Sequence, residues 1–235
     1  MQSEAENMIS SFSSIIPTYN EEESIGHTVE KIVSFFETRR WIYEVIIVDS
    51  NSTDRTPEIV DVLAKKYKSV RVVHQKLRKG FGNGLREGFN ASQYDLVWYM
   101  DADYPYDVSE VLPKALCFVS GYDAVAGYRV GKKESKLRAF YSRSYDFLLW
   151  LLMGLKIRNC NFSFKLIKRD VLKQLDLRSD GWFIDTELLL ELKKKGFKLT
   201  QIPAPFFSRT KGDSKVKILP TVSNLLYELF AYVRR

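Results

Sequence analysis

The sequence predicts an α/β fold, with a mostly parallel central sheet flanked by helices and an amphipathic helix at the C-terminus. Two patterns carry this prediction. Short apolar runs alternate with longer stretches in which apolar residues recur at helical spacing, and this β-α-β-α order is typical of parallel strands joined by right-handed crossovers. The second apolar run, residues 43–48, is almost continuously apolar, as strands covered on both faces are.

The elements of the first half follow from periodicity and from the residues that end each run. Residues 21–39 are predicted to be helical, Asp54 is expected to cap the next helix, and Pro17 is expected to end the first strand. Glycines 80, 82 and 84 lead into a short third helix. Strands are predicted at residues 12–16, 43–48, 70–74 and 96–100.

The second half is predicted to complete the same domain. An edge strand at residues 198–202 is expected to be closed by Pro203 and Pro205. The other expected elements are helices at 108–120, 137–155 and 185–195, strands at 123–126 and 162–167, and an amphipathic tail at 216–233. We therefore expect a disordered or frayed N-terminus (1–10), one globular domain (11–215) and a C-terminal amphipathic helix (216–235).

Composition describes an ordinary folded protein with an uneven charge. Of the 235 residues, 45% are hydrophobic and 28% are charged, which excludes a disordered chain. Residues 1–110 hold 12 Lys and Arg against 18 Asp and Glu, a net −6, so the overall +7 leaves +13 for the remainder. A basic half suits an anionic partner: a phosphorylated substrate, an acidic membrane surface or nucleic acid. Cys117 and Cys160 lack zinc-site spacing and are expected to be reduced core thiols.

Carboxylates at strand ends form the first candidate site. Ligands of mostly parallel sheets lie beyond the carboxyl ends of the strands, and strand 96–100 runs straight into Asp101-Ala102-Asp103. Two carboxylates on one turn repel each other unless a cation lies between them, and such oxygen ligands suit Mg²⁺ or Mn²⁺. Asp49 ends the second strand, where it could accept hydrogen bonds from a nucleobase or ribose. At either position the alternative is a simple turn.

A glycine-rich segment follows the third strand, in Lys79-Gly80-Phe81-Gly82-Asn83-Gly84. It lacks the spacing of a dinucleotide fingerprint and does not follow the first strand, so a dinucleotide site is not predicted. A loop rich in backbone amides beside basic side chains can still approach a phosphate or a sugar closely.

Several segments in fixed order resemble the family 2 glycosyltransferases. In the first half they are Ile15-Ile16-Pro17-Thr18-Tyr19-Asn20-Glu21, Val48-Asp49, Lys79-Gly80 and Asp101-Ala102-Asp103. The second half resembles the branch of dolichyl-phosphate mannose and glucose synthases and prokaryotic polyprenyl-phosphate glycosyltransferases. Its segments are Ala126-Gly127-Tyr128-Arg129, Leu137-Arg138, Ser142-Arg143, Asn161-Phe162-Ser163-Phe164-Lys165-Leu166, Gly181-Trp182-Phe183-x-Asp185-x-Glu187 and Arg209-x-x-Gly212-x-Ser214-Lys215. The resemblance spans residues 11–217 and implies a GT-A-like, Rossmann-related fold, with 11–215 as the catalytic domain.

The resemblance also implies roles for individual residues. Asp101 and Asp103 would hold the metal, and Arg129, Arg138 and Arg143 would receive the phosphate of the acceptor. The nucleotide sugar would contact Pro17, Tyr19, Glu21, Asp49, Lys79, Gly80, Asp101, Ala102, Arg209, Ser214 and Lys215. If the acceptor were a hydroxyl, Asp185 or Glu187 would be the candidate base.

The implied activity is an inverting, metal-dependent transfer of a hexose from a GDP- or UDP-sugar to a polyprenyl phosphate. Transfer to a saccharide or another hydroxyl is the alternative, and a basic nucleic-acid-binding module is a distant one. The acidic strand-end cluster would repel a phosphate backbone, so no nucleic acid is expected. Tyr104-Pro105 directly after the acid pair leaves Asp107 or water as the third metal ligand.

Contact with a membrane is expected to be peripheral. The longest apolar run, residues 147–155, is shorter than the ~20 residues of a spanning helix, and the acidic N-terminal residues do not resemble a signal peptide. Residues 140–155 and 218–235 each combine an apolar stripe with aromatic and basic residues, which suits the interface of a cytosolic leaflet. An ordinary core or homodimer helix is the alternative for either segment.

Overall fold

The computed structural model describes residues 11–131, 136–206 and 218–234, and of 136–138 and 218–222 the backbone only. Seven strands of this part of the chain form one sheet, in the order β3-β2-β1-β4-β6-β5-β7. They are β1 Ser11–Thr18, β2 Ile42–Asp49, β3 Val70–His74, β4 Leu96–Tyr99, β5 Ala124–Gly131, β6 Lys165–Lys168 and β7 Leu199–Phe206. Strands β1 to β4 are parallel, β6 is antiparallel to both β4 and β5, and β7 is parallel to β5. The predicted fold class is confirmed.

Helices cover both faces of the sheet. Those in the described residues are α1 Ile25–Arg39, α2 Thr56–Lys66, α3 Phe81–Ala91, α4 Val108–Leu116, α5 Lys136–Met153, α6 Arg169–Leu172, α7 Ile184–Lys194 and α8 Ile218–Val233. The short α6 was not predicted, and the first helix begins four residues later than expected because residues 22–24 form a turn. None of the described helices is long and apolar enough to cross a membrane.

The prolines expected to end two strands lie inside them. The Thr18 carbonyl accepts from β2 and the Ile15 carbonyl accepts from Met100, so Pro17 points toward β4, which has already ended there. In β7, the Lys198 carbonyl faces β5, and alternation turns Pro203 and Pro205 to the open edge. Neither position needs a backbone N–H, so proline is tolerated and both boundary predictions were wrong.

The sheet separates two cores. On one face, β1 and β2 pack against α1, α2 and α4, with Phe12, Val45 and Ile47 fully buried. On the other face, Ile15 and Ile46 pack with residues of α3, α5, α7 and α8. The continuous apolar run of β2 is therefore covered on both sides, as predicted. Cys160 is buried, but Cys117 is exposed near the end of α4, so the expectation of a second core thiol was wrong.

Gly88 sets how closely α3 approaches the sheet. A Cβ atom at this position would overlap Cγ2 of Ile15 and would lie 3.3 Å from Cγ2 of Val48. Both neighbours belong to central strands just before the ends that carry Tyr19 and Asp49. Close packing of α3 against Ile15 and Val48 thus holds β1 and β2 in position.

We expect Gly88→Ala to lower the free energy of unfolding by about 1–3 kcal/mol, because the added methyl overpacks a core with little room to relax. Urea denaturation followed by circular dichroism measures this change. Gly121→Ala is the matched control, since no atom lies within 4 Å of its Cβ position, and it should change stability by less than about 0.5 kcal/mol. Equal effects of the two substitutions would contradict the packing argument.

Candidate functional site

The loops that follow β1 and β2 are joined by hydrogen bonds. The Asn20 N–H donates to Oγ of Ser52 at 2.9 Å, and the Thr53 N–H donates back to Oδ1 of Asn20 at 2.8 Å. The Glu21 N–H donates to Oγ1 of Thr56 at 2.8 Å. This cross-linking holds the backbone of Tyr19 and Glu21 beside the end of β2.

Asp54 lies one residue before Arg55, the N-cap of α2, so the prediction that Asp54 itself caps this helix was wrong by one residue. Its Oδ1 accepts from the N–H of Thr56, the first residue of the helix, at 2.9 Å. Its Oδ2 accepts from the N–H of Glu22 in the β1 loop at 3.3 Å. The carboxylate therefore pairs the N–H of the first helical residue and adds a further link between the two loops.

Asp49 is buried and lies between two partners at the end of β2. Its Oδ1 accepts from the Ser52 N–H at 3.2 Å, and its Oδ2 lies 3.1 Å from Nδ1 of His74. Nε2 of His74 lies 3.1 Å from Oδ1 of Asp61. Burial alone would lower the pKa of His74, but hydrogen bonds to Asp61 and Asp49 outweigh burial and raise it. Asp49 is thereby held in one orientation, with free lone pairs on both oxygens.

An aromatic platform lies beside this carboxylate. The guanidinium of Arg78, from the loop after β3, stacks 3.7 Å above the ring of Tyr19. This face of the Tyr19 ring is therefore covered by a planar cation. The predicted nucleoside residues Tyr19, Glu21 and Asp49 thus line neighbouring strand ends, and their roles in binding stay predictions.

The glycine-rich loop packs against protein, which explains its composition. A Cβ atom at Gly80 would overlap the carbonyl oxygen of Asp180, and one at Gly82 would overlap that of Ser179. The Gly82 N–H donates to the Asp180 carbonyl at 2.9 Å, so this amide is already satisfied. Phe81 also stacks on Trp182, with ring centroids 4.5 Å apart. The glycines therefore allow close approach of the 179–182 loop, while the exposed Lys79 stays a predicted phosphate contact.

The acid pair lies at the end of β4, as predicted. The Ala102 carbonyl between the two acids accepts from Oγ1 of Thr28 at 2.6 Å, which ties this turn to α1. Although part of Asp101 reaches the surface, burial raises its pKa to about 7, and the nearby charge of Asp103 contributes to the rise. The Ser163 hydroxyl and the Arg129 guanidinium oppose the rise.

These residues fit a divalent cation. Asp101 and Asp103 are crowded together, and the raised pKa of Asp101 shows that its negative charge is disfavoured there. A cation between the two carboxylates would stabilise both charges, and their hard oxygen atoms suit Mg²⁺ or Mn²⁺. No group of three or more Asp, Glu, His or Cys that could hold a metal occurs in the described residues. Asp107 instead caps α4, since its Oδ1 accepts from the N–H of Ser109 at 2.8 Å.

A buried ion pair lies beneath the acid pair. Nζ of Lys165 donates to the carbonyls of Cys160 and Phe162, at 2.8 and 2.7 Å, and to Oδ1 of Asp185. The hydroxyl of Tyr99 donates to the same carboxylate oxygen. Lys165 is 1% exposed and Asp185 is 3% exposed. All three ammonium protons have acceptors, so this charge is both paired and hydrogen-bonded.

Both predicted candidate bases are held by protein groups. Asp185 is bound by Lys165 and Tyr99, whereas Oε2 of the buried Glu187 accepts from the N–H groups of Arg178 and Ser179, at 2.9 and 2.7 Å. Both carboxylates therefore hold neighbouring parts of the chain in place.

Asn159 joins β5 to α5 beside the predicted acceptor arginines. Its Oδ1 accepts from the N–H of Arg129 at 3.0 Å, and its Nδ2 donates to Oγ of Ser142 at 3.2 Å. Arg129 is therefore held next to the segment of α5 that carries the exposed Arg143. The guanidinium of Arg129 also lies 4.6 Å from the ring centroid of Phe206.

Several of the predicted site residues lie outside the described part of the chain. Arg138 lies in α5, but its side chain is outside the described part of the chain, as are Arg209, Ser214 and Lys215 entirely. His74, Lys165 and Asn159 were not predicted, although each supports a predicted site residue. Lys165 could have been suspected, since it is a charged residue between Phe164 and Leu166 in the predicted strand 162–167.

The same architecture occurs in a solved structure of a synthase. Glucosyl-3-phosphoglycerate synthase from Mycobacterium tuberculosis, in complex with Mg²⁺ and uridine diphosphate, superposes with a TM-score of 0.78. The alignment covers 98% of this chain and 83% of that chain, at 18% sequence identity. At this identity the likeness shows the GT-A-like fold alone.

The family model named glycosyl transferase family 2 matches residues 13–176. The chain belongs to this family. Glycosyltransferase AglD of Haloferax volcanii is 32% identical over 215 residues, covering 87% of this chain and 34% of AglD. Dolichol-phosphate mannosyltransferase of Pyrococcus furiosus is 31% identical over 213 residues, covering 86% of this chain and 58% of that protein. The chain thus spans about a third of one relative and somewhat more than half of the other.

We expect Lys165→Met to lower the free energy of unfolding by about 3–5 kcal/mol, because Asp185 would remain as a buried, uncompensated charge. The double variant Lys165→Met, Asp185→Asn should lose less than Lys165→Met alone, since the orphaned charge is gone. Guanidinium denaturation of the two single variants and the double variant gives the coupling free energy. Additive losses would show that the pair does not act as a unit.

Proposed function

We propose that the chain transfers a hexose from a nucleotide sugar to a polyprenyl phosphate, with a divalent metal held by Asp101 and Asp103. One observation carries the proposal: the acid pair lies at a strand end with the Arg129 guanidinium close enough to counter the raised pKa of Asp101. Negative metal ligands and a cation side by side suit a site that brings two phosphorylated substrates together.

The donor would lie across the ends of the first three strands and β4. Pro17, Tyr19, Glu21 and Asp49 would hold the nucleoside, by stacking on the Tyr19 platform and by hydrogen bonds to Asp49. The diphosphate would extend toward Ala102, with Lys79 and Gly80 near it. The loop that holds Arg209, Ser214 and Lys215 would add cations around the phosphates.

The metal, Mg²⁺ or Mn²⁺, would stabilise the charge that develops on the departing diphosphate. Asp101 and Asp103 bind and orient it, and the Thr28 bond to Ala102 fixes the turn between them. Asp107 is committed to capping α4, so water and substrate oxygens would complete the coordination shell.

The acceptor phosphate would be received by Arg129 and Arg143, with Arg138 from the same helix. A phosphate oxygen would form a bond to the anomeric carbon while the bond from that carbon to the diphosphate breaks, and its electron pair leaves with the nucleoside diphosphate. Attack from the opposite side inverts the anomeric configuration. A phosphate monoester needs no strong base once it is desolvated beside guanidinium groups.

Transfer to a hydroxyl is the alternative, and it would need Asp185 or Glu187 as a base. Both carboxylates are buried and already hydrogen-bonded, which favours the phosphate acceptor. Incubation with radiolabelled GDP- or UDP-hexose and either a polyprenyl phosphate or simple saccharides separates the two. Lipid-extractable product only with the polyprenyl phosphate supports the proposal, and product only with saccharides overturns it.

We expect Asp101→Asn with Asp103→Asn to reduce the transfer rate by about a thousandfold or more, because the site loses the charge that holds the metal. The thermal midpoint should not fall, since two repelling carboxylates are removed. Asp107→Asn is the control and should keep the rate of the unaltered protein, with at most about 1 kcal/mol lost from the α4 cap. A double variant as active as the unaltered protein would sink the metal assignment.

We also propose that α5 and α8 rest on the cytosolic face of a membrane. α5 exposes Phe140, Phe147 and Leu151, at 64%, 58% and 61%, on the helix that carries Arg143. α8 packs on the core through Leu225 and Leu229 and exposes its opposite side, where Tyr227 and Phe230 are 75% and 53% exposed. An apolar stripe with neighbouring cations suits an anionic interface and brings the site to a lipid-borne phosphate. A homodimer through the same stripes stays an alternative prediction.

We expect Leu151→Asp to weaken binding to anionic liposomes by roughly tenfold, because one buried leucine contributes about 1.5–3 kcal/mol. Val62→Asp is the matched control, since Val62 on α2 is equally exposed, at 62% against 61%. Flotation with phosphatidylserine-containing vesicles at low salt measures both variants. Equal binding by both variants, or no binding by the unaltered protein, would contradict the proposed surface.

A further inference from the structure

Asn159 supplies a hydrogen bond that β6 does not give to Arg129. The N–H of Gly127 in β5 donates to the Phe164 carbonyl at 2.9 Å, just before β6 begins. Alternation along β5 turns the Arg129 N–H to the same side, at a level where β6 has not yet begun. Its acceptor there is Oδ1 of Asn159, at 3.0 Å. The Asn159 side chain thus extends the sheet to a residue whose charge partly offsets the rise that burial causes in the pKa of Asp101.

The orientation of the Asn159 amide follows from its partners. A backbone N–H can only donate, so the amide oxygen must face Arg129 and the amide nitrogen must face α5. There Nδ2 donates to Oγ of Ser142 at 3.2 Å. One uncharged amide therefore joins the end of β5 to α5, with its acceptor on the strand and its donor on the helix.

The loop that carries Asn159 is fixed independently of this side chain. The N–H groups of Asn159 and Cys160 donate to the two carboxylate oxygens of Asp146 on α5, at 2.8 and 3.3 Å. The side-chain amide of Gln201 in β7 bonds to both the N–H and the carbonyl of Arg158, at 2.9 and 2.8 Å. Asn159 has a φ of 49°, a left-handed conformation that asparagine and glycine tolerate best. A glycine here would therefore keep the loop backbone and remove only the amide.

We propose that Asn159 is a positioning residue for the acceptor phosphate, which acts by setting where the Arg129 guanidinium lies relative to α5. This inference rests on the proposed transfer to a polyprenyl phosphate, in which Arg129 receives that phosphate. The guanidinium lies at the end of a long side chain, so a small rotation of the Arg129 backbone moves its charge by a larger distance. A misplacement of about 1 Å can cost up to about a hundredfold in rate, so one hydrogen bond to this backbone affects how well the phosphate is held.

The test is steady-state transfer by the full chain from radiolabelled GDP- or UDP-hexose to a polyprenyl phosphate in detergent micelles, with KM measured for each substrate. We expect Asn159→Gly to raise KM for the polyprenyl phosphate by about tenfold and to change KM for the nucleotide sugar by less than about twofold. When Arg129 is already replaced by alanine, Asn159→Gly should have little further effect on kcat/KM. Arg40→Gly is the matched control and should change neither KM, because Arg40 also has a positive φ, 55°, and is exposed after the end of α1.

Several results would overturn the inference and leave the proposed function standing. They are an unchanged KM for the polyprenyl phosphate in Asn159→Gly, equal rises in both KM values, and a full effect of Asn159→Gly in the Arg129→Ala protein. If the thermal midpoint shows that Asn159→Gly does not fold, Ser142→Ala takes its place, since it removes only the bond at the α5 end of the amide. We then expect a rise of about threefold in KM for the polyprenyl phosphate, and no rise overturns the inference. If the unaltered protein transfers no hexose to a polyprenyl phosphate, the proposed function itself fails, and the inference fails with it.

Discussion

The ion pair between Lys165 and Asp185 is the interaction on which the arrangement of the site depends. Tyr99 and Lys165 are partners across β4 and β6, and both donate to the same oxygen of Asp185, at the start of α7. The remaining protons of Lys165 hold the carbonyls of residues 160 and 162. One buried cation thus joins the strand that ends in the acid pair, the loop that carries Ser163, and a helix. A buried charge holds so many groups only because every one of its protons has an acceptor.

Charge balance around this pair explains how two acids persist at one strand end. Asp101 and Asp103 repel each other, and Asp185 adds a further negative charge that also raises the pKa of Asp101. Lys165 neutralises Asp185 directly, while the charge of Arg129 lowers the pKa of Asp101. Asp101 and Asp103 therefore keep a net negative charge, which suits a divalent cation.

The fold was predictable to the extent that it depends on periodicity. Alternating apolar runs gave the strands and helices of the parallel half, and the strand ends located Asp49 and Asp101 correctly. The prolines led to wrong strand boundaries. A missing backbone N–H ends a strand only if it faces a neighbouring strand, and the sequence does not show whether a neighbouring strand is still present at that position. The side-chain partners Asp49 and Asp61 of His74, Asp185 of Lys165, and Arg129 and Ser142 of Asn159 lie 13 to 30 residues away along the chain, so no local pattern indicates them.

The glycine-rich segment shows how one pattern can satisfy two interpretations. Glycines beside lysines suggest a phosphate loop, yet the backbone of 179–181 fills the space that side chains at Gly80 and Gly82 would occupy. The same contact sets Asp180 against Asn83 and Arg86, and Asn83 in turn orients Gln75. Oε2 of Glu228 in α8 accepts from the hydroxyl of Ser179 in that loop, so α8 is linked through the loop to Asn83 and Gln75. A tightly packed junction of this kind couples the position of α8 to that of the glycine-rich segment, since the contacts at Gly80 and Gly82 leave no room for independent movement.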